Sequence, residues 1–269
     1  MKSTCIMQVH KECRMIEEFK RSGIVEKAEI SRRQLLAGAA ASTLFAPSIL
    51  NAKGASIMTP EAFVYTEVAI SVPFGEAPWR KINESIRKQP GFLNKTWLQG
   101  HSTQTLGGLY SFDGKDNARK FVTEYFPSEP RAFGVAHNTR VFDAEIVKEA
   151  STDMGAVHFG AGRSQTPGAF VYTELQFSKP FDEFAWKERN SALKQVRGLQ
   201  NKIWLSGLFT NSLGGFDAFD TVENAADFAI NIFPETAAKI GCAFYTRIFD
   251  ASITEEASRQ MNSPYYLAS

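Results

Sequence analysis

From Phe63 the chain reads FVYTEVAIS, and from Phe170 it reads FVYTELQFS. The offset, 170 − 63 = 107, holds without a gap through both copies. Trp79 returns as Trp186, NKTWLQG (94–100) as NKIWLSG (201–207), LGG (106–108) as LGG (213–215), and TRVFDA (139–144) as TRIFDA (246–251). Roughly 40% of positions are identical over about 90 residues, well beyond chance. Two copies of domain size indicate a duplicated domain, not a solenoid. A duplication builds a pseudo-two-fold molecule from one chain and frees one copy to lose the ancestral site.

Within the first copy, Phe63–Val72 alternates apolar and polar residues up to Pro73, as a strand does. Residues 75–89 have helical spacing (Trp79, Ile82, Ile86) and stop at Pro90-Gly91. Residues 92–100 and 106–113 read as strands joined by a polar turn, 116–126 as a helix stopped by Pro127, and 135–144 as a last strand. The second copy repeats each element at 170–178, 184–196, 199–207, 213–220, 222–233 and 242–251. The order β-α-β-β-α-β is ferredoxin-like, so the fold class is α+β. The expected layout is a leader at 1–52, repeats at 60–150 and 169–258, a Gly-rich linker at 151–168 and a tail at 259–269. Each sheet has one face without helices, and the two copies are expected to cover each other there, closing a barrel-like pair. Pairing with another chain is the alternative, and with it a homo-oligomer.

The first fifty residues read as an address. Arg32 and Arg33, before a weakly apolar Ala/Gly/Ser stretch ending at Leu50, form the twin-arginine pattern of bacterial export. That stretch is too short and small-residue-rich for a stable membrane span. The reading predicts recognition by the twin-arginine export machinery, cleavage after Ala52 and a periplasmic location. An uncleaved anchor, or an Arg pair that simply precedes a helix, is the alternative. Cys5 and Cys13 fall in the leader, leaving Cys242 alone and no intramolecular disulfide to form. A net charge of +1 gives no electrostatic case for nucleic acid.

PFG (73–75), QPGFLNKTW (89–97), GGLYSFD (107–113), an Ala-x-x-Phe helix (118–121) and VFDA (141–144) together resemble the YdhR-like mono-oxygenases of the dimeric α/β-barrel superfamily. The superfamily also holds the antibiotic-biosynthesis mono-oxygenases. The resemblance covers most of copy one and, more loosely, copy two. It implies oxidation of a small, flat aromatic or quinol-type substrate by oxygen in an apolar pocket, with no metal or bound cofactor. A non-catalytic periplasmic small-ligand binder, haem included, is the alternative.

Comparing the copies stands in for an alignment. Positions kept in both, such as Trp97 and Trp204, read first as core. The Gly pairs at 107–108 and 214–215 suggest a bulge or close backbone approach. Tyr65 and Tyr172, with Glu67 and Glu174, lie on one face of the first strand. Asn83 and Asn190 sit mid-helix against propensity. Arg140 and Arg247 need a carboxylate, and Glu67 and Glu174 of their own repeats are the expected partners. Positions that differ mark where a single site would hide: His101 against Leu208, Tyr110 against Asp217, His137 against Phe244. His137 is the candidate general base, able to take a phenolic proton if it faces an apolar pocket. Tyr65, Asn83, Tyr110, Arg140 and Trp97 are the candidate substrate-positioning residues, with Tyr172, Asn190, Arg247 and Trp204 as second-copy equivalents. The competing role for each is structural. His101, His137 and His158 lack metal-ligand spacing, so no metal site is expected. One axial ligand would suffice for haem, and His137 or His158 could serve.

Overall fold

The computed structural model describes residues 58–70, 72–129, 134–162 and 165–266. The proposed leader, with Arg32 and Arg33, lies outside the described residues.

The first repeat runs β1 (Ala62–Ala69), α1 (Trp79–Ile86), β2 (Phe92–Gln99), β3 (Thr105–Phe112), α2 (Lys115–Lys120) and β4 (His137–Asp143). A short helix α3 (Lys148–Asp153) follows. The second runs β5 (Ala169–Gln176), α4 (Trp186–Leu193), β6 (Leu199–Gly207), β7 (Ser212–Phe219), α5 (Val222–Asp227), α6 (Phe233–Ile240), β8 (Phe244–Asp250) and α7 (Glu255–Gln260). Both second helices pass through a π turn, at 121–125 and 228–232. Pro127 does not end the helical run of copy one as the sequence suggests, because residues 128 and 129 are helical again beyond it. Its counterpart Pro234 occupies the first turn of α6, where a missing N–H costs nothing, and the helix continues to Ile240 instead of stopping at 233.

All eight strands join one antiparallel sheet in the order β2-β3-β1-β4-β6-β7-β5-β8. Its two edges also meet. Gly100 bridges Phe249, and the His101 N–H donates to the Ile248 carbonyl at 2.8 Å. The other seam repeats this at the 107-residue offset, with Phe142 opposite Gly207 and the Leu208 N–H on the Val141 carbonyl at 2.9 Å. The sheet is therefore a closed barrel built by two ferredoxin-like halves, and closure leaves no unpaired edge.

Strand alternation separates the layers. In β1, Phe63 and Tyr65 point into the barrel while Ala62 and Val64 face the helices. The barrel interior holds Phe63, Tyr65, Leu98, Phe142, Phe170, Tyr172, Leu205, Phe216 and Phe249. Each half has its own sheet-to-helix core outside it.

The supposed linker and tail belong to the repeat. Residues 148–153 and 255–260 are helices at the same offset, and Gly155 and its counterpart Asn262 both turn at positive φ. Each arm crosses to the other half. Ser151 Oγ accepts the Trp204 N–H at 2.9 Å, and Ser258 Oγ accepts the Trp97 N–H at 2.9 Å. The arms end as His158 and Tyr265, equivalent positions that meet edge-to-face at 5.2 Å inside the barrel. The EAS triplet and Met154 recur as Glu256-Ala257-Ser258 and Met261, but beyond them the Gly-rich composition of 155–168 masked the correspondence.

The bulge lies in β2 and β6 (between Phe92 and Asn94, and between Leu199 and Asn201), not at the Gly pairs. Those glycines solve two steric problems. A Cβ at Gly107 would lie 2.0 Å from the Thr66 carbonyl oxygen, and one at Gly108 would lie 2.5 Å from Lys95 Cε. Gly108 thus clears the space that Lys95 occupies.

Candidate functional site

Between the outer sheet face of the first repeat and its helices lies a cavity of about 50 Å³. Ile82, Lys95, Trp97, Tyr110, Phe126 and Glu129 are among its walls. The lysine is the informative group. Lys95 is 1% exposed, points from β2 into this apolar layer, and has no ion pair or side-chain hydrogen bond among the described residues. Its Nζ lies 2.9 Å from the centroid of the Trp97 ring and 4.6 Å from that of Tyr110, so aromatic faces replace a carboxylate. Burial pulls the Lys95 amine well below the usual lysine range, opposed only by the charge of Glu129. Burial in turn raises the Glu129 carboxyl, whose Oε1 accepts the Tyr125 hydroxyl at 2.5 Å. Tyr110 is raised by burial and then by Glu129, and its hydroxyl stays protonated while accepting from Thr66 at 3.4 Å.

The second repeat shows what the first lacks. Lys202, at the equivalent position, bonds Asp217 at 2.8 Å with both side chains buried. Asp217 replaces Tyr110, and Arg189, which replaces Ile82, adds a second cation nearby. Burial lowers Lys202 and raises Asp217, while their mutual contact opposes both shifts. The lysine of copy two is spent on an ion pair; that of copy one lines a small, mostly apolar cavity without one.

A second cavity, about 220 Å³, opens at the mouth of the barrel on the pseudo-two-fold axis. Tyr65 and Tyr172 stack there at 3.9 Å with 4° between their rings. Each hydroxyl donates to the glutamate two residues on, Glu67 at 2.9 Å and Glu174 at 2.5 Å. The arginines do not pair within their own repeats as expected. Arg140 binds Glu174 at 3.1 Å and Arg247 binds Glu67 at 3.1 Å, because β1 and β5 face each other across the barrel. Tyr245 also donates to Glu67, at 2.7 Å.

The sequence-derived candidates therefore divide. Tyr110 and Trp97 wall the first cavity; Tyr65, Arg140 and Tyr172 line the second, and Arg247 supports it through Glu67 and by lying over the Tyr245 ring at 4.0 Å. Asn83 and Asn190 line neither. They accept the indole N–H of Trp97 and Trp204, each at 2.8 Å, and donate to Ala257 and Ala150 carbonyls of the crossing arms. Trp204 occupies the second-repeat counterpart of the first cavity, beside Lys202. His137 is exposed at the start of β4, edge-on to Phe126 at 5.7 Å and outside the cavity, so it does not face the apolar space a base would need. His158 is sealed in the barrel core against Phe63 and Tyr265, and neither histidine lines a cavity described above. The residues present do not fit a haem. Among the described residues, no cluster of three His, Cys, Asp or Glu could hold a metal ion, and no helix is long and apolar enough to cross a membrane.

Lys95 escaped the sequence reading because it recurs in both copies and so looked structural. The signal lay across the strand: a lysine kept in two apolar strands, opposite an acid in only one of them.

A closed barrel of two ferredoxin-like halves, with pockets between sheet and helices, defines the dimeric α/β-barrel class. Residues 67–153, the first repeat, match the family described as "Putative mono-oxygenase ydhR". No curated protein matches the sequence. Among solved structures, an anthrone oxidase-like protein superposes with a TM-score of 0.47 at 13% identity, covering 73% of this chain and 93% of its own. A "Putative monooxygenase" from Fusobacterium nucleatum superposes with a TM-score of 0.42 at 12% identity, covering 72% and 93%.

Proposed function

We propose that the protein is a cofactor-independent mono-oxygenase-like enzyme for a small aromatic, quinol-type substrate, working in the first-repeat cavity. The observation that carries this reading is the buried Lys95 amine, unpaired and facing aromatic walls. A base in a dry pocket can ionise a phenol that water would leave protonated. Trp97 and Phe126 offer the ring its flat contacts, and Tyr110 offers a hydroxyl to the substrate oxygen.

The chemistry closes without an outside reductant. Lys95 takes the phenolic proton, and the anion passes one electron to O2. The two radicals combine as a carbon-bound peroxide, which recovers the proton from Lys95. Breaking the O–O bond leaves one oxygen on carbon as a carbonyl. The other leaves as water with the hydrogen that carbon carried. Substrate and O2 thus become quinone and water. Under ¹⁸O2, with chelator-treated protein, one labelled oxygen is expected in the quinone. Release of hydrogen peroxide with no label in the product would overturn the reading.

The Arg32–Arg33 pair supports a periplasmic workplace, reached by the twin-arginine route. Replacing both with Lys should hold a leader–reporter fusion in the cytoplasm; undiminished export would count against it.

The barrel-mouth cavity favours a second reading, a binding protein for a small polar aromatic ligand held by Tyr65, Tyr172 and Arg140. Tight binding abolished by Arg140→Met, with no oxygen uptake, would favour that reading over catalysis.

A further inference from the structure

We propose that Lys95 is also a carbonyl-capturing residue: its amine condenses with a small aromatic aldehyde or ketone in the first-repeat cavity to form a reversible imine. Three observations converge on this. The side chain of Lys95 is fully buried, its ammonium has no carboxylate within ion-pairing distance among the described residues, and it forms part of the wall of a cavity of about 50 Å³. Gly108 clears space around Cε, so the chain is seated without a Cβ crowding it from β3. An amine so placed is neutral more of the time than a solvated one, and only the neutral amine attacks a carbonyl.

The step balances within the pocket. The Nζ lone pair forms the N–C bond, one amine proton moves to the former carbonyl oxygen, and a second proton reaches that oxygen from the wall, where Tyr110 and Glu129 stand. The C–O bond then breaks, one water leaves, and the proton still on the imine nitrogen returns to the wall group that gave one up. Nothing is oxidised or reduced. This reactivity goes beyond the oxygenase reading, which uses the same amine only as a base, and neither depends on the other.

The second repeat supplies the control in the same molecule. Lys202 has the same strand position, the same Trp neighbour and the same glycine opposite, but it is held by Asp217 at 2.8 Å. The test is reductive trapping of the full chain with benzaldehyde and cyanoborohydride at pH 7, followed by peptide mass mapping. Exposed lysines keep only about one amine in a few thousand neutral at that pH. Lys95 is therefore expected to acquire the benzyl group at least about tenfold faster than they do, while Lys202 stays unmodified. Tyr110→Asp, which rebuilds the second-repeat ion pair around Lys95, should remove the preference. Labelling of Lys95 no faster than surface lysines in the folded wild-type chain would overturn the proposal, whatever the variant does. Equal labelling in a folded Tyr110→Asp protein would also overturn it. Oxygen uptake is a separate readout, so loss of one activity leaves the other open to its own test.

Discussion

Arg140 of the first repeat binds Glu174 of the second, with its Nε 3.2 and 3.1 Å from the two carboxylate oxygens. Arg247 returns the contact to Glu67. The two halves are thus locked by reciprocal ion pairs around the stacked Tyr65 and Tyr172. A double-mutant cycle on Arg140→Met and Glu174→Gln should show coupling of about 0.5–3 kcal/mol in denaturant unfolding. The same cycle on Arg140 and Glu67, which lie on paired strands but form no ion pair with each other, should be close to additive. Coupling confined to Arg140 and Glu67 would mean that the halves do not cross as described.

Asn83 joins three pieces: helix α1, the Trp97 indole on β2, and the Ala257 carbonyl of the crossing arm. Asn83→Ala leaves a buried indole N–H unpaired, and a loss of about 1–3 kcal/mol in stability is expected. Asn190→Ala should behave alike, since its geometry around Trp204 is the same. Thermal melts of the two variants check this, and a neutral outcome for both would show that water replaces the amide.

His158 should make the protein sensitive to acid. Burial in the barrel lowers its pKa from 6.5 to about 3, and neither ring nitrogen has a hydrogen-bond partner among the described residues. The unfolded chain therefore binds the extra proton first, and stability rises with pH across that window. The contribution is fully present above about 6.5 and drains away as pH falls toward 3, at up to about 1.4 kcal/mol per pH unit. His158→Phe should flatten this limb of the stability profile. An unchanged slope between pH 6 and 4 would place the loss on other groups.

Gly107 and Gly108 separate by what they touch. Gly107→Ala drives a methyl into the Thr66 backbone, while Gly108→Ala meets the flexible end of Lys95. The first should cost more stability, of the order of several kcal/mol as overpacking against backbone does, and the second should mainly displace Lys95. Comparable melting losses for both would show that Lys95 is as immovable as the strand.

Much of the fold was legible because the chain repeats itself. Strand alternation in FVYTE separated Tyr65 and Glu67 from Val64 and Thr66, and the repeat gave the element order twice. Three things were not legible. The arms at 151–159 and 258–266 share few identities, since their role is to fill a barrel end where His158 and Tyr265 serve equally well. The exchange of glutamates between Arg140 and Arg247 depends on which faces meet, and a strand pattern reveals only that Glu67 and Arg140 point inward. Lys95 was hidden by its own recurrence, although the Tyr110 and Asp217 difference beside it was visible. His137 drew attention as a titratable residue in an apolar strand, but it sits at the exposed end of that strand, where alternation no longer reports burial.

The most direct test of the account is the rate of oxygen uptake with a small quinol, measured for wild-type protein, Lys95→Met and His137→Phe with folding checked by thermal melt. Lys95→Met should lose about 10²-fold or more of the enzyme-dependent rate, as removal of a general base does, while His137→Phe keeps it. Undiminished uptake by a folded Lys95→Met protein, or its loss in His137→Phe, would contradict the assignment of the first-repeat cavity as the site.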